Sequence, residues 1–280
     1  MDSVVQLYSE GSPDSHSRLH RNASDATRPG LLIVNADDWG RDCETTDRIL
    51  ECTLRGAVSS VSAMVFMEDS DRAATLAREH GIDAGLHLNF TTSLSAPAVP
   101  PRLLERLGQV AHYLRRHRLA GAVFNPALVR SFEYLVAVQI DEYHRIYGRD
   151  AERLDGHHHM HLCANVLLQR LLPRGTIVRR NFTFEAGEKG LCNRTYRKAV
   201  DRSLARRHRL RDFFFSLPPL DSGRLKRIYS LAQRFVVEVE THPVQPNEYR
   251  YLAGGEIFKQ IGGVPIASRK ALASCKSGLN

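Results

Sequence analysis

The chain has 280 residues, 42% hydrophobic and 25% charged, an ordinary globular composition, and no apolar run reaches the roughly 18 residues of a membrane span. Its formal charge of +8 leaves negatively charged partners open. Five cysteines, Cys43, Cys52, Cys163, Cys192 and Cys275, are odd in number and lack CxxC spacing, which argues against a disulfide framework or thiolate zinc site and points to the cytoplasm.

Residues 1–28 are rich in Ser, Asp, Arg and His without an apolar segment. They are expected to form a disordered extension rather than a cleaved secretory signal. Residues 29–280 then make a single catalytic domain, a length that suits an α/β barrel of roughly 250 residues. Leu31–Asn35 reads as a strand buried on both faces, as in a parallel sheet. Asp42–Gly56 reads as a helix, Val58–Phe66 as a strand, Asp69–His80 as a helix and Ile82–Phe90 as a third strand. This alternation means crossover connections and parallel pairing.

Pro101–Arg118 and Pro126–Tyr147 suit helices, the second with an apolar stripe through Leu128, Phe132, Leu135, Val136, Ile140, Tyr143 and Ile146. Arg153-Leu154-Asp155 leads a strand into a histidine cluster, and Ala164–Leu172 follows as a helix. Further strands are expected at Thr176–Arg179, Asp212–Ser216 and Phe235–Thr241, with helices near Asn193–His208 and Ser222–Gln233. Beyond His242, Pro243, Pro246 and Gly254-Gly255 suggest loops around one short helix. The whole predicts a (β/α) barrel-like fold with six to eight mainly parallel strands.

Between Arg194 and Arg211 lie eight basic residues, Arg194, Arg197, Lys198, Arg202, Arg206, Arg207, Arg209 and Arg211, against only Asp201. A solvated helix face accounts for such a stripe, and so does contact with anionic lipid, nucleic acid or a phosphorylated substrate. No aromatic platform or zinc-finger spacing supports specific nucleic-acid recognition.

Asp155-Gly156-His157-His158-His159-Met160-His161 places four histidines within five residues. Such a tract is a metal site or a polar loop, and complementary ligands elsewhere decide between them. In parallel α/β folds functional residues gather at the carboxyl ends of strands. Asp37-Asp38, His87, the histidine tract and His242 all fall there. Singly, a helix cap or a packed core histidine explains each; together they read as a metal hydrolase site. One carboxylate and two imidazoles leave positions on a divalent ion for water and substrate. Successive strand side chains alternate faces, so Asp37 and Asp38 are expected to point apart, one as ligand and one as base, unless the turn after the strand relaxes the rule.

At these residues the chain resembles the YdjC-like carbohydrate deacetylases. The correspondence runs through Asn35-Ala36-Asp37-Asp38-Trp39-Gly40, Ser59-Ser60-Val61-Ser62, Gly85-Leu86-His87-Leu88-Asn89, the Asp155–His161 tract and Thr241-His242-Pro243, in that order. The resemblance implies a barrel-like deacetylase that hydrolyses the N-acetyl group of an amino sugar in an oligosaccharide, glycan or glycolipid. It further implies Asp38, His87 and His157 as ligands of one divalent ion, Asp37 as general base, and His242 as acid or substrate contact. His159, His161, Asn89 and Trp39 become candidates for supporting the site or touching substrate, with His158 directed away. The family ion is Mg2+, whereas two imidazoles suit Zn2+ equally. Trp39 stands where Phe is commoner, Gly156 where Ser is commoner, and Arg41-Asp42-Cys43-Glu44 departs from the family's small, proline-containing loop.

The expected partner is an N-acetylated carbohydrate, free or linked to phosphate or lipid at a membrane surface, and a homodimer is admissible. Two other functions fit the same residues: a phosphoesterase, whose two metals would need bridging carboxylates, and a non-catalytic carbohydrate-binding relative.

Overall fold

The computed structural model describes residues 30–116, 119–184 and 187–268. The expected 1–28 extension, Cys275 and the last two residues of the Pro101–Arg118 helix lie outside these. Among the described residues there are seven strands and nine α-helices, with the histidine tract in a 3-10 helix, His157–Leu162, after β4: β1 Leu31–Trp39, α1 Cys43–Leu54, β2 Ser60–Ala63, α2 Ser70–Glu79, β3 Ala84–Leu88, α3 Pro101–Arg116, α4 Val129–Tyr147, β4 Arg153–Gly156, α5 Ala164–Leu168, β5 Ile177–Val178, α6 Leu191–Ala205, β6 Phe213–Ser216, α7 Ser222–Ala232, β7 Val236–Thr241, α8 Pro246–Ala253 and α9 Glu256–Gln260. They form one sheet in the order β5-β4-β3-β2-β1-β7-β6, with every pairing parallel.

The sheet curls until its edges nearly meet. A bridge joins Ile177 to Arg209, and the Thr183 N–H donates to the Phe214 carbonyl at 2.8 Å. The seam is thin because β5 has two residues. The barrel-like expectation holds, with the sheet left open at this seam.

Two kinds of side chain separate across the strands. Outward positions such as Val34, Ala36, Val61, Leu86, Leu154, Val237 and Val239 join the helices in one apolar core. Each buried aliphatic or aromatic side chain there contributes about 1.5–3 kcal/mol. The alternate positions hold polar groups hydrogen-bonded to one another across the interior: Asn35 and Asp37, Ser60 and Ser62, Arg153 and Asp155. Period-two alternation thus makes an outer apolar shell and an inner filling rich in polar and charged groups.

Local signals account for some of the boundaries. Asp42 caps α1, accepting from the Thr45 N–H at 2.8 Å, and Gly148, in the left-handed region at φ 66, ends α4. After His242 the chain forms two short helices, not one; Pro246 occupies the first turn of α8, where its missing N–H costs nothing. The chain then returns to β1, the Leu32 N–H donating to the Pro265 carbonyl at 3.1 Å. No described helix is long and apolar enough to cross a membrane.

Candidate metal centre

The carboxyl ends of β1, β3, β4 and β7 converge on a cleft of about 500 Å³ lined by Asp37, Asp38, His87, His157, Glu240 and His242, with Arg41, Thr92, His158, His159, Val244 and Gln245 around them. Backbone geometry lets two adjacent aspartates share it. β1 bulges between Ala36 and Trp39, and Asp38 adopts φ 68. This left-handed residue relaxes the alternation, so both carboxylates line the same cleft. Asp tolerates that region better than most non-glycine residues. Gly40 follows at φ +85, and a Cβ there would lie 3.2 Å from Ala73 Cβ and Ser70 Cα, which accounts for glycine after the aromatic.

His87 stands between carboxylates. Its Nδ1 is 2.8 Å from Asp155 Oδ1, and its Nε2 is 3.4 Å from Asp38 Oδ1 and 3.9 Å from Asp37 Oδ2. His157 Nδ1 lies 2.9 Å from Asp38 Oδ1. One ligand atom from each of Asp38, His87 and His157 falls within 4.8 Å of the others, and all three residues are buried. A carboxylate and two imidazoles at this spacing fit a mononuclear divalent ion with open positions. Asp155 behind His87 is the kind of carboxylate that fixes the orientation of a ligating imidazole.

The charges set the protonation of the metal-free cluster. Burial alone disfavours charge on His87, but Asp37 and Asp155 outweigh it and push the pKa up to about 10. Burial works against the Asp38 carboxylate as well; hydrogen bonds to His157 and His87 overcome it and hold the group well below the usual carboxylate range.

Beneath these three residues lies Arg179, 1% exposed. Its Nη1 and Nη2 donate to Asp37 Oδ2 and Oδ1 at 2.7 and 2.8 Å, a bidentate fork. Nη2 also meets Asp155 Oδ2 at 2.8 Å, and Nε donates to Glu238 Oε1 at 2.8 Å. The ring of Phe214 lies 5.0 Å from the guanidinium carbon. A second set of potential ligands, Asp37, His87 and Asp155, is thus already neutralised by a guanidinium. Asn35 donates to Asp37 Oδ1 at 2.8 Å, and Ser62 to Asp155 Oδ2 at 2.6 Å, which gives the serine-rich second strand its role. Burial and the neighbouring Asp37 raise Glu240 to about 8 against the pull of Arg179.

The remaining candidates divide. His242 lines the cleft, its backbone N–H donating to Glu248 Oε2 at 2.8 Å. His159 faces the cleft with Nε2 3.5 Å from Glu240 Oε2 and its ring edge-on to Phe182 at 4.6 Å; burial, aided by Arg179, lowers its pKa to about 4. His161 is fully buried away from the cleft, its Nε2 3.0 Å from the Arg179 carbonyl, so it secures the backbone of that arginine. Burial lowers its pKa to about 3, and the neutral ring donates. His158, expected to point away, lines the cleft instead because a left-handed φ of 54 turns it toward Thr91, whose Oγ1 is 2.9 Å from Nδ1. Asn89 builds the turn after β3, accepting from the Thr91 and Thr92 N–H groups. Trp39 is a core residue, its Nε1 donating to the Ala73 carbonyl at 3.2 Å.

Reasoning from sequence missed Arg179, Glu238 and Glu240, and gave Asp155 no role. A signal was there: charges at alternate positions of an apolar strand, Val237-Glu238-Val239-Glu240, demand buried partners.

The profile of the YdjC-like protein family matches residues 31–260. The chain belongs to that family. It is similar to the chitooligosaccharide deacetylase of Enterobacter sp. (strain 638), 33% identical over 133 residues covering 47% of this chain and 50% of that protein. It is also similar to the human carbohydrate deacetylase, 32% identical over 190 residues covering 64% of this chain and 56% of that one. The chain spans about half the length of these relatives. A solved structure from Enterococcus faecalis V583, of a protein proposed to cleave cellobiose-phosphate, shares the fold with a TM-score of 0.60 at 18% identity, over 88% of this chain and 99% of that one.

Proposed function

We propose that this protein is a metal-dependent hydrolase that removes the N-acetyl group of an N-acetylamino sugar. The observation that carries the reading is the grouping of Asp38, His87 and His157 within 4.8 Å beside Asp37, in a family whose similar members are named deacetylases. Asp38, His87 and His157 would hold one divalent ion; Zn2+ suits the two imidazoles and Mg2+ the carboxylate. Such an ion supplies Lewis acidity toward the amide carbonyl and toward water.

The chain's own residues supply the proton transfers. Asp37, held in one orientation by Arg179 and Asn35, takes a proton from the attacking water as its oxygen bonds to the acetyl carbon. The C–N bond then breaks, and His242 delivers the proton that the leaving nitrogen needs. Acetate and a free amine result. The cleft of about 500 Å³ has the size of a small-ligand site, and His158 and His159 offer it imidazole faces.

A two-metal phosphoesterase finds less support, because Arg179 occupies the place of a second cation. We place the enzyme in the cytoplasm, since Cys43, Cys52, Cys163 and Cys192 are free and free thiols suit a reducing compartment. The test is acetate release across N-acetylated chitooligosaccharides and glycolipids, with metal content measured on the same preparation. One ion per chain and loss of acetate release in His87→Ala and Asp38→Asn are expected. Undiminished release after rigorous metal stripping would overturn the reading.

A further inference from the structure

The basic stripe splits into two parts. Arg194, Arg197 and Lys198 lie near the start of α6, against Phe182 and Phe184, on the catalytic side. Asp201, its lone carboxylate, is engaged by Arg180 at 2.9 Å and by Asn181, so it does not offset the far end. That end lies where α6 has run down to the amino ends of the strands, since Arg206–His208 precede β6 and Arg174 precedes β5. In a parallel sheet this is the face opposite the metal centre.

There a separate cleft of about 270 Å³ opens between α5 and α6. Its polar lining is Arg170, Arg174, Ser203, Arg206, Arg207 and His208, with no carboxylate, over an apolar floor that includes Val166, Leu172 and Leu204. Among the described residues none of the four arginines pairs with a carboxylate. Two further observations point to a missing partner. Arg207 Nε is buried without a hydrogen bond, an expensive condition for a guanidinium. Arg170 adopts φ 58 at the exit of α5, a position where glycine or asparagine is usual. Basic groups do favour helix carboxyl ends, but that does not explain four gathered round one cavity against their own repulsion.

We propose that this cleft is a binding site for a phosphoryl anion, distinct from the metal centre. Guanidinium forks match phosphate oxygens bidentately, a dianion offsets more of the fourfold charge than a monoanion, and the apolar floor accepts a small organic group. The occupant is a phosphorylated small molecule or inorganic phosphate, or else the headgroup of an anionic lipid. The proposal is independent of the deacetylase reading.

The test is thermal unfolding of the full chain, metal-stripped, with inorganic phosphate and pyrophosphate against sodium chloride at equal ionic strength. At ligand about one hundred times its Kd, the Tm is expected to rise by roughly 5–10 °C. Arg170→Gln/Arg207→Gln should abolish the rise, whereas His87→Ala and the charge control Arg130→Gln should keep it. Arg170→Gln and Arg174→Gln, both at exposed side chains, serve singly if the double variant does not fold. A second arm measures co-sedimentation with phosphatidylglycerol vesicles against phosphatidylcholine; loss of binding in the same arginine variants assigns the headgroup as the source. If neither arm shows a response that depends on these arginines, or if His87→Ala removes the response, the site is wrong.

Discussion

Arg179 binds together carboxylates that would otherwise repel one another. Its guanidinium meets Asp37, Asp155 and Glu238 at 2.7–2.8 Å, so replacing it leaves uncompensated buried charge. Arg179→Met should therefore cost about 3–5 kcal/mol of stability in urea unfolding. Arg179→Lys should also lose most acetate release, since an ammonium cannot span Asp37 bidentately. His87 yields a different expectation. Its pKa, raised to about 10, means that the metal-free protein carries an imidazolium at neutral pH, and an ion must displace that proton. Calorimetry in buffers of different ionisation enthalpy should find proton release on metal uptake near pH 7, with affinity rising as pH rises. The sign for stability follows from the same shift. Charge on His87 stabilises the metal-free fold fully below the unfolded value near 6.5, and that contribution disappears as pH rises through about 10. Urea midpoints of the metal-stripped protein should fall over this window, and His87→Gln should flatten the fall. Asp38 behaves oppositely: its lowered pKa gives stability present above the usual carboxylate value near 4 and lost in acid.

At the scale of elements, the end of β1 is where sequence and fold meet most tightly. Gly40→Ala places a Cβ 3.2 Å from Ala73 Cβ at φ +85; it should cost at least about 1–2 kcal/mol and lower metal occupancy by shifting Asp38. Gly156 explains a departure from the family pattern. A Cβ there would lie 3.0 Å from the His161 N and 3.1 Å from the Leu88 carbonyl oxygen, so Gly156→Ser should destabilise rather than restore a missing contact, by about 1 kcal/mol in urea unfolding. The parallel strand–helix alternation and the grouping of Asp38, His87 and His157 were legible because strand ends and dense chemistry-bearing side chains announce themselves in one dimension. Arg179 was not. It closes a three-dimensional circuit with Asp37, Asp155 and Glu238, which lie 142, 24 and 59 positions away by the numbering of the chain. His158 was misread for a related reason, since its direction depends on a left-handed turn that no periodicity predicts.

As a whole the molecule inverts the usual barrel plan, in which branched aliphatic side chains fill the centre. Here polar and charged groups fill much of the centre beside the buried Leu31, Ile33 and Phe214, and most of the apolar mass lies between strands and helices. The stability of the sheet is therefore uneven. β1 and β7 share six registered pairs, Leu31–Ala36 against Val236–Thr241, while β5 pairs with β4 through two and meets the lead-in to β6 at a single bridge. Amide exchange should be fastest among the strands at Val178 and slowest at Val34 and Ala36. Equal protection along all strands would contradict the thin seam.

The backbone at Asp38 restricts what can stand there. Asn shares aspartate's tolerance of that conformation, and Gly has no Cβ to object, so these two replacements disturb the turn least, while Phe66, His158, His159 and Arg170 show that bulkier residues also adopt it elsewhere in the chain. On the proposed reading Asp offers the ion a carboxylate, Asn only a neutral amide oxygen, and Gly no ligand at all. If that reading holds, chains of this architecture that have lost the ion should carry Gly or Asn at this point more often than any other residue.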